Sequence, residues 1–413
     1  MVRCLDVSHS IKPLGLFDQL GFASRRWPGV NRFFRFSRRT VWAALVQGFW
    51  EFTRALFRDL PNWGPPGRTF SLYHALRWGD PAVRGRIILE DQGSPSVRSD
   101  SLVVQCGLNQ HLEQPWPIVW TEHDNARLVS NSLALLNEEK KLCLESVYGE
   151  AYWRDDPASR TLWLPKPTYL KGRWTSIVSN WNPLDGSPVY GHWLHDALPR
   201  LAILADLPKD TRILVPIKLK AIHWETLELL GLKDRCRPTS EIHLEIEKYF
   251  FSSPVGMISC FNPHGTSFMR RSFFPKAAPD FNGPKKFFFL RTSSHRRLAN
   301  MDEIVNLLKE RGWPIVRDVD LSFAQTVALF SQATDICSFL GSNMSNTMFC
   351  SSECKVLQWV PDIFLDGFTD MIASVVGFEL KSFILRCGGP TAHSPVINLG
   401  EIRQSLADAG YLS

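Results

Sequence analysis

The sequence predicts an α/β protein built from two units with parallel sheets, and three observations carry that expectation. At 413 residues and 47.1 kDa the chain is too long for one ordinary core and comfortable for two, since domains run to roughly 100–200 residues. Between residues 285 and 390 short apolar runs alternate with amphipathic stretches, the pattern of strands joined by crossover helices in a doubly wound sheet. The composition, 44% apolar and 21% charged, is globular, neither disordered nor fibrous.

Residues 1–22 are irregular in pattern, and 23–39 interleave arginine with Trp and Phe. The following TVWAALVQGFWEFTRALFRDL reads as a helix: Val41, Leu45, Phe49, Phe52 and Leu56 form a stripe, Glu51, Arg54 and Arg58 lie away from it, and Pro61 stops it. Lys+Arg total 47 and Asp+Glu 41, a net +6, and residues 21–60 alone carry eight arginines against Glu51 and Asp59. The remainder is balanced, so no large basic face for nucleic acid is expected. A basic aromatic helix can lie on an anionic membrane surface or pack on the body with its arginines in solvent. The nine cysteines have no repeated spacing, and Cys350 and Cys354 lack a second pair to complete a zinc site. Free thiols in a reducing compartment follow. No run reaches the roughly 18 apolar residues of a membrane span, and residues 1–20 do not read as a signal peptide. The expected location is cytoplasmic, either soluble or peripheral on the inner face of the membrane.

Residues 61–100, rich in Gly, Pro and Ser, read as a connection with short strands. SLVVQC, PIVW, ARLVS, LALL and KLCLESVYG, between 101 and 149, read as strands and hairpins. A helix is expected at 190–206, then the strand RILVPI, the helix HWETLELLGL ending at Gly231, the strand HLEIEKYFFSS and an irregular stretch to about 284. In the last part KKFFFLR is a buried strand, and Asn300 is placed to cap the helix MDEIVNLLKERG, which Gly312 stops. WPIVRDV is a strand, Ser322 opens FAQTVALFSQA, DICSFLG is a strand, SNMSNTMFC a short helix and KVLQWVP the last strand. The units are drawn at 1–95 (basic aromatic extension), 96–275 and 276–413.

Ligands of an open parallel sheet sit beyond the carboxyl ends of its strands. Arg291 ends the first strand of the last unit, with His295, Arg296 and Arg297 in the next loop. Gly341, Ser342 and Asn343 join a strand to a helix start, and Gln358 and Asp362 lie at the end of the strand KVLQWVP. A helix start presents unpaired N–H groups and suits phosphate, Ser342, Asn343 and Ser345 could add side-chain donors, and an arginine opposite could hold a diphosphate. The same residues could simply cap a helix. A P-loop lysine and spaced dinucleotide glycines are missing, which disfavours NTP hydrolysis and NAD chemistry. In the other unit His192 and Asp196 are four apart and share a helix face. Such a pair can act as a general base on a hydroxyl, with Arg200 a turn further on towards a phosphate. It can equally be a satisfied core histidine. Metal ligation by His192, His195 and Asp196 is disfavoured because three ligands so close on one helix converge poorly.

At these residues the chain resembles glycosyltransferase family 61. The resemblance rests on NPLDGSPVYGHWLHDALPRLAIL, on the block FFFLRTSSHRRLANMDEIVNLLKERGWPIVRDVDLSFAQTVALFSQATDICSFLGSNMSNTMFCSSECKVLQWVP and on ARLVSNSLALLNEEKKLCLESVYG, together covering roughly 120–365. It implies a GT-B-like fold, two Rossmann-like domains facing a central cleft. It implies inverting, metal-independent transfer of a sugar such as N-acetylglucosamine or xylose from a nucleotide diphosphate donor, expected to be UDP-linked, to a glycan or lipid-linked glycan. A bacterial surface-polysaccharide role follows by analogy, with no other cofactor. His192, Asp196, Arg200, Arg291, Arg297, Gly341 and Asn346 fall on motif positions. His192 and Asp196 would be catalytic; Arg291, Arg297, Gly341, Ser342, Asn343, Asn346 and Gln358 would bind the donor; Arg200 and His195 would meet acceptor or phosphate. Two positions depart from the family pattern: Leu340 stands where a histidine is usual, and Gln358 where a glutamate is. A non-catalytic sugar- or nucleotide-binding protein, or a membrane-associated assembly subunit, is the alternative.

Overall fold

The computed structural model describes residues 69–89, 97–108, 117–148, 156–160, 164–179, 181–255, 262–292, 298–388 and 395–411. The basic aromatic segment at 21–60 and the loop residues His295, Arg296 and Arg297 lie outside them.

The first sheet has nine strands: β1 (Thr69–Phe70), β2 (Arg84–Leu89), β3 (Ile118–Val129), β4 (Ala134–Leu136), β5 (Leu142–Cys143), β6 (Thr168–Ser176), β7 (Arg212–Pro216), β8 (Cys236–Thr239) and β9 (His243–Ser252). Their order is β1-β5-β4-β3-β9-β6-β7-β8, with β2 on β3. Only β9, β6, β7 and β8 form a continuous parallel run; β3 is antiparallel to β2, β4 and β9. The sheet is therefore mixed: the expected hairpin region supplies its antiparallel pairs, and RILVPI and HLEIEKYFFSS lie in its parallel run. PIVW and ARLVS, which read as two strands in the sequence, belong to one 12-residue strand, β3. SLVVQC is no strand: Ser101 caps a short helix, Leu102–Gln105, by accepting from the Val104 amide.

The second sheet is the doubly wound one. Strands β10 (Lys286–Leu290), β11 (Ile315–Arg317), β12 (Asp335–Phe339), β13 (Lys355–Pro361) and β14 (Glu379–Leu385) run parallel in the order β11-β10-β12-β13-β14. KVLQWVP is thus followed by one more strand. Helices Met301–Glu310 and Leu399–Asp408 cover one face through Ile304, Leu307, Leu308, Ile402 and Leu406. Helices Phe323–Ser331, Ser342–Phe349 (a 3-10 helix) and Phe368–Val376 cover the other. Ser322 and Gln325 form the capping box of the first of these. Asn300 does not cap its helix; its amide exchanges two hydrogen bonds with the backbone of Ile397.

The two sheets share one hydrophobic core. Ile177, Ile213, Val215 and Phe250 of the first half and Phe287, Phe289, Ile336, Val356 and Val360 of the second belong to the same buried cluster. Between them lie the helical segment 190–206 and helices Ala221–Leu229 and Pro263–Phe273. The last of these falls in the stretch expected to be irregular, although Asn262 and Pro263 are an N-cap and first-turn proline. Carboxylates tie the halves together. Glu225 accepts from the amides of Phe323 and Ala324, and Asp370 accepts from the Leu102 amide. Each satisfies orphan donors of a helix start in the opposite half.

Candidate functional site

The strand order of the second sheet reverses at β10: the chain leaves it for β11 on one side and returns to β12 on the other. Ligand crevices in open parallel sheets form beyond the strand ends at such a switch. Arg291 directly follows β10, and Leu340-Gly341-Ser342 directly follow β12. The two meet: a Cβ on Gly341 would stand 3.0 Å from Arg291 Nη1 and 2.9 Å from Asn343 Oδ1. The missing side chain is what lets the guanidinium lie against the turn. Burial lowers the Arg291 guanidinium from its ordinary value, and nearby Asp318 opposes the shift. The Gly341 carbonyl takes the Met344 amide and starts the 3-10 helix, so the amides of Ser342 and Asn343 have no acceptor within it.

The Asn343 side chain is fixed by its neighbours. The Ser338 hydroxyl donates to the Phe289 carbonyl, and Asn343 Nδ2 donates to that hydroxyl at 3.0 Å. The amide oxygen therefore faces the turn, buried and with no hydrogen-bond partner among the described residues. Ser345 is buried within the helix. Asn346 uses both ends of its amide, accepting from the Tyr190 hydroxyl at 2.7 Å and donating to the Asn343 carbonyl at 2.9 Å. Gln358 lies in the middle of β13 rather than at its end, fully buried and bonded through Nε2 to the Ser382 hydroxyl. The expected contact from Gln358 to donor hydroxyls is not offered by this placement.

Tyr190 leads into the second group. The segment after β6 starts as one α-turn, Tyr190–His192, continues as a π-helix, Trp193–Ala197, and ends as a 3-10 helix, Leu198–Asp206. Trp193, Leu194, Ala197 and Leu198 anchor it in the shared core. A π-segment is rare and is found mostly at functional sites. Here it carries His195 and Asp196. His192 Nδ1 is hydrogen-bonded to Asp196 Oδ2, and the Trp181 indole stacks on the imidazole at 4.6 Å and 3°. Asp196 is buried, which raises its carboxyl; His192 and Arg200 oppose the rise. With Nδ1 engaged, Nε2 is the imidazole nitrogen left for a substrate proton.

Two expected contacts are corrected by burial. Arg200 is 6% exposed and donates Nε to the Ser252 carbonyl and Nη1 to the Val178 carbonyl, both at 3.0 Å. It staples the carboxyl ends of β6 and β9 rather than facing a phosphate. His195 is 5% exposed, and burial, with a smaller push from His192, lowers its imidazole to about 3. It stays neutral and offers no charge to an anion. Trp181 and Tyr190 were not singled out from the sequence, because nothing in their spacing discloses a partner across the fold.

The site thus joins a histidine–carboxylate pair to an arginine-backed, amide-rich turn through the Tyr190–Asn346 contact. Residues 190–357, which hold Tyr190, His192, Asp196, Arg291, Gly341 and Asn346, match the family model described as Glycosyltransferase 61. The chain carries a glycosyltransferase family 61 domain over these residues. It is accordingly an enzyme that transfers a sugar from a donor to a glycan acceptor. No curated protein matches the chain. The family match lies across both sheets, from the α-turn of His192 to the middle of β13.

Proposed function

We propose that this glycosyltransferase moves a sugar from a nucleoside-diphosphate donor to an acceptor hydroxyl in a single inverting displacement. The acceptor oxygen attacks the anomeric carbon as His192 Nε2 takes its proton, and the bond from that carbon to the diphosphate oxygen breaks. The electron pair leaves on the diphosphate. Arg291 and the amides of Ser342 and Asn343 receive that charge, the role a metal ion plays elsewhere. Asp196, bonded to Nδ1, holds the tautomer that leaves Nε2 free as base and stabilises the imidazolium once formed. A donor such as UDP-N-acetylglucosamine or UDP-xylose and a glycan or lipid-linked acceptor suit this arrangement, as does a role in surface polysaccharide synthesis.

The observation that carries the reading is the contact of Arg291 with the Gly341 turn at the switch point, beside a helix that touches the His192 segment. The purified chain incubated with a panel of sugar nucleotides and oligosaccharide acceptors, with and without chelator, tests it. The expected result is a product of inverted anomeric configuration that forms equally with chelator. A retained configuration would overturn the single displacement, and loss of product with chelator would overturn metal independence.

A further inference from the structure

Four hydrogen bonds run in series from the helix of His192 to the strand that delivers Arg291. The Tyr190 hydroxyl donates to Asn346 Oδ1 at 2.7 Å, and Asn346 Nδ2 donates to the Asn343 carbonyl at 2.9 Å. Asn343 Nδ2 donates to the Ser338 hydroxyl at 3.0 Å, which donates to the Phe289 carbonyl at 2.8 Å. Phe289 is two residues before Arg291, and Tyr190 is two residues before His192. The amide nitrogens can only donate and the carbonyls only accept, so the Ser338 hydroxyl accepts from Asn343 and donates to Phe289.

The surroundings make the series stiff. Asn343, Asn346 and Ser338 are buried. The Tyr190 ring packs against the shared core, and burial raises its hydroxyl above the ordinary value, so it remains a donor. Among the described residues no hydrogen-bonded strand holds the backbone of the His192 turn against the second sheet. It begins at Val189, which is half exposed, and its N-cap makes no side-chain bond. Tyr190 is thus its polar tether to the opposite half.

We propose that Tyr190 and Asn346 are positioning residues that set the register between the His192 base and the Arg291–Gly341 turn, and that Asn346 acts through this tether rather than by touching the donor. Both ends of its amide are already engaged within the protein, by Tyr190 and by the Asn343 carbonyl. The inference rests on the proposed roles of His192 and Arg291. Base and leaving-group stabiliser must act on opposite ends of one displacement, and a misplacement of about 1 Å can cost on the order of 100-fold in rate.

Kinetics and thermal unfolding of the full chain carrying Tyr190→Phe, Asn346→Asp and both together test it, with His192→Ala as a separate arm. Tyr190→Phe removes only the hydroxyl. Asn346→Asp keeps the acceptor for Tyr190 and removes the donor to Asn343. Each single variant is expected to lower kcat by about tenfold, with KM for the sugar nucleotide within about twofold and Tm little changed. The double variant is expected to be no slower than the slower single, because both break one series. Wild-type kcat in Tyr190→Phe, a rise in donor KM without loss of kcat in Asn346→Asp, or losses that multiply in the double variant would each overturn the proposal. If His192→Ala turns over like wild type, the functional reading fails first; if it is inactive while Tyr190→Phe is normal, the tether alone fails.

Discussion

The two sides of the site are built of different material. On the first sheet's side the groups are side chains locked against one another: His192 lies between the Asp196 carboxylate and the Trp181 indole, just before a π-segment anchored by Trp193 and Leu194. On the second sheet's side the groups are main-chain amides of a turn and one arginine beside a glycine. The difference matches what the proposed transfer would ask of each side. A group that takes a proton must have its tautomer and direction fixed beforehand, which costs its other polar atoms their freedom. A group that receives a diphosphate must present its donors in the direction from which the charge arrives. Arg200 marks the boundary between the two uses: buried, it donates Nε to Ser252 and Nη1 to Val178 and belongs to the scaffold.

The comparison breaks most visibly at His192. His192→Ala is expected to lower turnover by about 10²–10⁴-fold, the range of a lost general base. Asp196→Asn, which keeps the shape but not the charge, is expected to lose somewhat less, roughly 10²-fold. Steady-state transfer rates at saturating donor check both. Equal, wild-type rates would move His192 and Asp196 into the scaffold beside Arg200.

The other side is sharpened by Gly341→Ala. The backbone there is extended, so alanine is not strained, but its methyl would stand 3.0 Å from Arg291 Nη1 and 2.9 Å from Asn343 Oδ1. The guanidinium must shift by a few tenths of an ångström. The expected outcome is about tenfold weaker binding of a nucleoside diphosphate by calorimetry, with Tm nearly unchanged, since charge-assisted pairs depend on alignment. Unchanged affinity would show that the turn does not contact the anion.

The smallest effect lies away from the chemistry, at Asp370. Burial raises its carboxyl to about 6, and its Oδ2 has no hydrogen-bond partner among the described residues, while Oδ1 holds the Leu102 amide. The native state binds this proton more readily than the unfolded chain, so the group's contribution to stability falls as pH rises from the ordinary carboxylate value through about 6. Asp370→Asn keeps an acceptor for Leu102 and removes the buried charge. It is expected to stabilise the chain by about 1 kcal/mol above pH 6, with the gain gone near pH 4 and turnover unchanged. Denaturant titrations at several pH values check this.

Much of the second half was legible because its signals are local. Apolar runs of strand length, the Ser322–Gln325 capping box and Gly312 at positive φ each announce themselves within a few residues. Arg291 at a strand end and Gly341 at a helix start could be named for the same reason. The first sheet was not legible in its pairing, because β3 and β9 meet across more than a hundred residues and no local pattern states which strands will be antiparallel. Asn300 shows the limit on caps: it has the right residue type and position, but Ile397, 97 residues away, takes its amide. Gln358, Arg200 and His195 had site-like chemistry in sequence, and only the packing around them shows that they are enclosed. Tyr190 was missed for the opposite reason, since its meaning lies wholly in Asn346.

The central claim is that the Arg291–Gly341 turn holds the diphosphate of the donor. Its most direct test is calorimetric titration of UDP and of uridine into the wild-type chain and Arg291→Ala. The account predicts that the variant weakens UDP by at least about tenfold, as loss of a charge-assisted pair should, while uridine binds both proteins alike. Equal UDP affinity in the two proteins would contradict it.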